Sequence, residues 1–283
     1  MKIAFWSEES NAGTTFNLAV TACAAVFMHP ISVAVVSGGY HDEKLEKKFF
    51  RAMGGLPPGA GVGAAYDQRF VWAAEEQEFF LTRGAEYLLQ KEQREDLTEM
   101  AVKSNMRQIV RDRMYFLPSS PKSEQEWWHQ DSLFVRMDRI MDALESYFDV
   151  VFVDCGSRRD DYAQKIVREA GVCVWNMDQE SQNIGAYYQS STRFQGEIFF
   201  LLANYFADAL YNRENLQRVY RMEESRLGAI PYNPRLQAES RMGRTHKGVK
   251  RCIDQGETGS DAEFTRELAR STNLILKLAG VIR

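Results

Sequence analysis

The chain has 283 residues, 45% of them apolar, enough for one large α/β domain with a sizeable core. Thirty-five Lys and Arg against thirty-nine Asp and Glu give a net charge of -4, which excludes a bulk electrostatic pull toward nucleic-acid backbones or anionic lipid. The four cysteines, Cys23, Cys155, Cys173 and Cys252, stand far apart without zinc-ligand or C-x-x-C spacing, which argues against a metal knuckle or a disulfide framework.

Lys2–Trp6 reads as a strand, 7–16 as a small polar loop, Asn17–Met28 as an alanine-rich helix stopped by His29-Pro30, and Ile31–Val36 as a second buried strand. This is a βαβ unit, which implies parallel pairing and a right-handed crossover. No apolar stretch is long enough to span a bilayer. The N-terminal residues enter a strand without a leader pattern, so a cytoplasmic protein is expected.

From His41 to Arg113 the pattern is helical and charged, broken by "GGLPPGAGVGAAY". Within that break "GAGVGA" at 59–64 looks like a dinucleotide fingerprint, but it follows Pro57-Pro58 rather than a strand and reads as a loop. Met114–Leu117 reads as a strand and "SSPKSE" as the start of an amphipathic helix through Tyr147.

"DVVFVDCG" at 149–156 is the clearest strand of the chain. Helix 160–170, strand 171–176, helix 181–192, strand 197–203, helix 213–223 and strand 226–230 alternate after it. Residues 234–260, polar and basic and then glycine-rich, read as a mobile loop before a last helix at 261–282. The whole predicts a single α/β domain over 1–283 with a doubly wound, mostly parallel sheet, and its ligand sites belong at the carboxyl ends of the strands.

"FWSEESNAGTTFN" at 5–17 sits where a phosphate-binding loop would sit. Such a loop needs glycines for backbone approach, a lysine for charge and a hydroxyl for Mg²⁺. Only Gly13, Thr14 and Thr15 match its end, and no lysine occurs between Lys2 and Lys44. The local string is also what a plain strand-to-helix turn capped by Thr14 or Thr15 would look like.

Other segments add context. "YFDVVFVDCGS" resembles the Walker B and switch segment of the ParA/MinD family of deviant P-loop ATPases. "FFLLANYFADALYNRENLQRVYRMEESRLGAIPYN" resembles that family's late strand, helix and "GxIPYN" run. "RMYFLPSSPKSE" and "VCVWNMDQESQNIGAY" resemble the strands between. Together they cover most of 1–233 in family order. The resemblance implies a P-loop NTPase fold that binds ATP or ADP with Mg²⁺. It places Asn11, Ala12 and Gly13 at the phosphates, Thr14 (or Thr15) and Asp154 at Mg²⁺, and Asn204 with Pro231–Asn233, chiefly Pro231 and Tyr232, around adenine. Among its branches the pattern is most similar to the TadZ/CpaE-like Flp/Tad pilus localisation proteins.

Two departures qualify it. The family loop carries two lysines, one of which reaches the dimer partner's nucleotide, and this chain has Glu8 or Glu9 near that position. The family's second strand ends in an aspartate, where this chain has Ser37 and no acid before Asp42. The expectation is an atypical nucleotide-binding homodimer that positions or scaffolds a secretion or pilus assembly, with weak hydrolysis or none and no assigned catalytic residue. Two alternatives stand beside it: an interaction module that binds no nucleotide, and a slow ParA-type partitioning ATPase.

Cys155 beside Asp154 lacks a histidine partner and reads as a small core residue. Arg158, Arg159, Asp160 and Asp161 read as a solvated loop, with phosphate or partner contact as the alternative. The basic cluster Arg235, Arg241, Arg244, His246, Lys247, Lys250 and Arg251 has no aromatic interleaving, which argues against DNA and for an acidic protein partner. Phe264, Leu268, Ile275, Leu278 and Ile282 fall on one face of the last helix, which is read as packing on the sheet, although MinD ends in a membrane-binding helix. Any membrane or pole recruitment is therefore expected to be indirect.

Overall fold

The opening strand, helix and strand form the centre of the protein, seen in a computed structural model that describes residues 1–39, 43–50, 84–92, 96–119, 133–180 and 194–283. In chain order the elements are β1 (Lys2–Trp6), α1 (Thr14–Met28), β2 (Val33–Ser37), α2 (Glu43–Phe49), α3 (Gly84–Glu92), α4 (Glu99–Ser104), β3 (Arg107–Val110) and β4 (Met114–Leu117). There follow α5 (Leu133–Tyr147), β5 (Val150–Gly156), α6 (Asp161–Glu169), β6 (Val172–Met177), β7 (Glu197–Tyr205), α7 (Arg213–Tyr220), β8 (Leu227–Pro231), α8 (Pro234–Arg241), α9 (Thr245–Gln255) and α10 (Ala262–Leu278).

The strands make one eight-stranded sheet in the order β3-β4-β2-β5-β1-β6-β7-β8. Every neighbouring pair is parallel except β3 with β4. The doubly wound, mostly parallel sheet is the fold class that the alternation implied. Strands covered on both faces carry no polar side, which explains the unbroken apolar runs of β1, β2 and β5.

The pleat sends successive side chains to opposite faces. Ile3, Phe5, Val33, Val35, Val150, Phe152 and Val174 pack with Phe16 and Leu18 of α1, Leu45 and Phe49 of α2, Val249 of α9 and Leu268 of α10. Ala4, Trp6, Val36, Val153 and Trp175 pack on the other face with Leu88 of α3, Ile140 and Leu144 of α5 and Ile166 of α6. Counting on in twos, Ser37 and Asp154 lie on the α1 face at the carboxyl ends of β2 and β5, where the two are register partners.

Three expectations are corrected. α1 starts at Thr14 rather than Asn17, because Gly13 turns the chain directly into the helix. Residues 107–110, read as helical, form the antiparallel strand β3. Asp112 takes a left-handed φ of 58° and Arg113 N donates to Val110 O (3.1 Å), so the charged triplet 111–113 is a tight turn into β4 rather than a helical turn.

The third correction is at 234–260, where the expected loop is mostly helix. Asn233 Oδ1 accepts from Leu236 N (2.9 Å) and Pro234 occupies the first turn, so α8 has a proper start. Leu236, Val249 and Cys252 are buried, so this polar composition conceals two amphipathic faces.

α10 buries Phe264, Leu268 and Ile275 against β8 and α1. Ser271 Oγ bridges to the backbone of Ala229 (2.9 Å from its N, 3.0 Å to its O). Among the described residues no helix is long and apolar enough to cross a membrane. The predicted helix 181–192, the "GAGVGA" loop and Asp42 lie outside the described residues.

Candidate functional site

The loop 7–13 leaves β1 at the carboxyl rim and is held by main-chain bonds. Ser7 N donates to Gly156 O (2.9 Å), extending the β1–β5 pairing, and Ser7 Oγ donates to Glu9 O (2.7 Å). Asn11 (φ 75°) and Gly13 (φ 71°) are both left-handed and bracket Ala12. Gly13 is needed twice over: for its φ, and because a Cβ there would sit 3.2 Å from Ala203 Cβ on β7.

Gly13 is also the N-cap of α1, no side chain caps the helix, and its first turn holds no acid. The capping by Thr14 or Thr15 that a plain strand-to-helix turn would show is not found: both lie inside the helix, and Thr14 is buried. An uncapped N-terminus leaves N–H groups and the positive end of the helix dipole aimed at the rim, the arrangement that binds phosphate.

Asp154 is a buried acid on the same carboxyl rim of the sheet. It is register partner to Phe5 on β1 and Ser37 on β2, is 1% exposed, and accepts from Gly156 N through Oδ1 (3.1 Å). The pleat places it on the α1 face, the face of Thr14. A carboxylate and a hydroxyl are hard oxygen donors of the kind that hold Mg²⁺ with help from phosphate and water, so the residues present fit a Mg²⁺-nucleotide. Among the described residues no group of three or more His, Cys, Asp and Glu could hold a metal ion without such help.

The charges around the loop are arranged differently from the resemblance. Glu8 Oε1 accepts from Arg159 (3.0 Å) where a lysine was implied, so the loop's acid is tied to the segment after β5. Arg158 lies against Gly39, where any Cβ would collide with its guanidinium. Its Nε donates to Asp160 Oδ2 (2.7 Å), and its carbonyl accepts from Trp6 Nε1 (3.1 Å). Asp160 Oδ1 caps α6 by accepting from Ala163 N (2.9 Å). Arg158, Arg159 and Asp160 are therefore interlocked parts of the rim. Cys155 is fully buried, and burial first, then the neighbouring Asp154 charge, push its thiol well above the ordinary range, which removes it as a nucleophile.

Asn204, Pro231 and Tyr232 come together at the ends of β7 and β8. Asn204 is exposed and left-handed (φ 48°), at the irregularity where the β7–β8 register shifts between Leu202 and Tyr205. Pro231 ends β8, and Tyr232 N donates to Tyr205 O (3.3 Å). The half-exposed Tyr232 ring stacks on exposed Phe206, centroids 6.0 Å apart and planes 30° apart. Because Gly13 touches Ala203, next to Asn204, the loop 7–13 and this aromatic edge adjoin on one rim. Asn233, which the resemblance also put near the base, instead caps α8 and donates to Asp261 Oδ1 (3.0 Å).

Sequence reasoning missed two features. Asn17 and Asn176 form a buried side-chain bond (Nδ2 to Oδ1, 2.9 Å) that fixes the first turn of α1 to the end of β6. Within the basic cluster, Arg251 is an internal strut, pairing with Asp261 (2.6 Å) and Glu239 (3.1 Å). Neither has a local signature, since each partner is supplied by the fold.

No protein-family model matches the chain, and no curated protein matches it in sequence. Solved structures do. A ParA family ATPase from Chlorobium tepidum superposes with a TM-score of 0.64 at 13% identity, covering 96% of this chain and 98% of that one. A plasmid partition protein from Borrelia burgdorferi bound to AMPPNP gives 0.59 at 10%, with 98% of each chain covered. The septum site-determining protein MinD from Pyrococcus horikoshii, complexed with Mg-ADP, gives 0.57 at 14%, covering 99% and 98%. With the sheet order and the loop at the end of β1, this assigns the chain the fold of the ParA/MinD P-loop ATPases.

Proposed function

We propose that this chain binds ATP or ADP with Mg²⁺ at the loop 7–13 and works as a dimerising positioning or scaffold protein, of the TadZ type in Tad/Flp pilus assembly, rather than as an efficient ATPase. The observation that carries the reading is the uncapped N-terminus of α1 at the same carboxyl rim of the sheet as the buried carboxylate of Asp154. In it, Asn11, Ala12 and Gly13 offer main-chain N–H groups to the phosphates. Thr14, with Thr15 next to it, and Asp154 hold Mg²⁺. Asn204, Pro231 and Tyr232 edge the base. Bound Mg²⁺ would neutralise phosphate charge, and this chain's residues orient the phosphates and keep the metal oxygens in place.

Slow or absent turnover follows from charge. Phosphoryl transfer depends on positioning and on cations that meet charge developing in the transition state, so a loop without lysine loses several orders of magnitude in rate. Binding suffers less, because backbone N–H groups, the helix end and Mg²⁺ still attract phosphate. The functional unit is a nucleotide-dependent homodimer, cytoplasmic and brought to the membrane face or a pole by a protein partner.

Equilibrium titration with labelled ATP and Mg²⁺ tests this. Saturable binding that the double variant Thr14→Ala, Thr15→Ala weakens at least tenfold supports it. Absence of saturable binding would leave the interaction-module reading in its place. DNA-stimulated turnover would favour a partitioning ATPase, the reading that the likeness to a plasmid partition protein supports.

A further inference from the structure

β7 ends at Tyr205, and the loop from Phe206 to Asn212 joins it to α7. Side-chain amides fix the course of that loop. Gln179, two residues beyond β6, exchanges two bonds with the main chain of Phe206: Phe206 N donates to Gln179 Oε1 (2.7 Å), and Gln179 Nε2 donates to Phe206 O (3.0 Å). The same Nε2 donates to Tyr211 O (3.0 Å) near the far end of the loop. Asn212 Nδ2 donates to Ala207 O (3.0 Å) and Asn215 Nδ2 to Leu210 O (2.8 Å). The loop is thus held in one backbone conformation, and in that conformation the Phe206 side chain stays 58% exposed.

Single exposed apolar residues are ordinary on a protein surface. Phe206 differs because its ring stacks on the half-exposed ring of Tyr232, so the two make one aromatic wall across the ends of β7 and β8. The wall adjoins the start of α1. A Cβ on Gly13 would lie 3.2 Å from Ala203 Cβ, which puts the end of the loop 7–13 against β7 three residues before Phe206. Three residues of chain span at most about 11 Å, a reach comparable to that from a nucleotide's phosphates to its base. Tyr232 is held at the same level by its N–H on Tyr205 O (3.3 Å). A rigid, partly exposed aromatic surface at that distance from a phosphate cradle is suited to stacking a flat heterocycle.

We propose that Phe206 is a base-stacking residue of the nucleotide site, that the Phe206–Tyr232 wall favours purines over pyrimidines through the larger stack, and that Gln179 is a positioning residue that sets the wall before the nucleotide arrives. This rests on the nucleotide-binding reading above and adds to it the basis of base selection. Ordering the loop in advance spares the binding step an entropic cost. Only non-covalent contacts are involved.

The test is equilibrium titration of ATP, CTP and inorganic tripolyphosphate, each with Mg²⁺, on the native chain, Phe206→Ser, Phe206→Trp, Gln179→Ala and the control Val219→Ser, an exposed apolar residue of α7. The native chain should bind ATP about fivefold or more tighter than CTP, and Phe206→Ser should weaken ATP about tenfold while leaving tripolyphosphate within about twofold. Phe206→Trp should keep the ATP affinity, and the emission of its added indole should be quenched by ATP and not by tripolyphosphate. Gln179→Ala should lower the ratio of ATP to CTP affinity without changing that for tripolyphosphate, and Val219→Ser should behave as native. Unchanged ATP affinity in Phe206→Ser overturns the wall and leaves the phosphate-site reading intact; if that variant instead self-associates less, the wall belongs to a second copy of the chain. Equal losses for ATP and tripolyphosphate overturn it in favour of a structural role. Absence of binding of both ATP and tripolyphosphate to the native chain overturns both readings together.

Discussion

Asn17→Ala perturbs a buried side-chain bond that joins the start of α1 to the sheet. Asn17 and Asn176 are each 1% exposed. Asn17 Nδ2 donates to Asn176 Oδ1 (2.9 Å), and Asn176 Nδ2 reaches Trp6 O (3.3 Å) and Val174 O (3.1 Å). Truncating Asn17 removes one hydrogen bond and leaves Asn176 Oδ1 buried without a donor, since turning the Asn176 amide would sacrifice its two backbone bonds. The lost bond and the orphaned acceptor together cost about 2–3 kcal/mol. In a chain of this length each kcal/mol lowers the melting temperature by about 2–4 °C, so a fall of about 5–10 °C is expected.

Thermal and urea unfolding of the single variants and of the double variant Asn17→Ala, Asn176→Ala measures this directly. The double variant lacks the orphaned Asn176 Oδ1, so it should be more stable than the sum of the single losses implies, by about 1–2 kcal/mol. Asn17→Asp sharpens the test: a carboxylate facing a carbonyl oxygen should be worse than Ala at neutral pH and should recover as acid protonates it and restores a donor. Additivity of the two alanine substitutions within about 0.5 kcal/mol would refute the reasoning.

Gly13→Ala should cost about 1–2 kcal/mol from the left-handed φ alone, and Ala203→Gly in the same chain should relieve only the 3.2 Å contact, leaving most of the loss in a thermal melt. Arg251→Met removes the strut between α8, α9 and the start of α10; both partners are largely buried, so about 2–3 kcal/mol is expected in urea unfolding. The pH dependence has a definite sign. Burial alone would raise the Asp261 carboxyl, but donation from Arg251 and Asn233 outweighs it and holds the group below the usual carboxylate range. Its contribution is therefore present above the unfolded value, about pH 4, and lost as pH falls through the lower folded value. Unfolding free energies measured across that window should show a shallower acid limb in Arg251→Met.

The central strands could be read because a strand buried on both faces has no choice but to be apolar along its length, as in "DVVFVDCG". The same run closes on Asp154 and Gly156, which puts the acid at a strand end. Where burial is one-sided and charge dominates, pattern reading failed. β3 has only partly buried side chains and is flanked by arginines, so nothing local separates it from the charged helical pattern before it. In α8 and α9 the few buried residues are spaced at helical intervals, but Arg, Lys and Gly between them lower the mean hydropathy to that of a loop. The start signal, Asn233 followed by Pro234, is present, but Asn233 falls in the run that the resemblance places around the base.

The parts of the site that escaped reading all join distant segments. Asn17 and Asn176 are 159 residues apart. Neither has any reason to attract notice until the parallel order β5-β1-β6 sets α1 over the end of β6.

The loop's shape and its charge have separate origins, which explains how one can persist without the other. Its path is set by Ser7 N on Gly156 O, by Asn17 N on Gly13 O (2.9 Å), by left-handed turns at Asn11 and Gly13, and by the close approach of Gly13 to Ala203. No lysine takes part in any of these, so losing both implied lysines leaves the cradle standing. What is lost is the response to negative charge, and that response matters unequally along a reaction. A ground-state triphosphate can be met by N–H groups, a helix end and a metal, whereas charge moving in the transition state needs a cation at a fixed point. Glu8 pairs with the exposed Arg159 of the segment after β5. The path of the loop 7–13 is therefore fixed by main-chain bonds and glycine geometry that need no lysine, and it is joined through Ser7 to the end of β5.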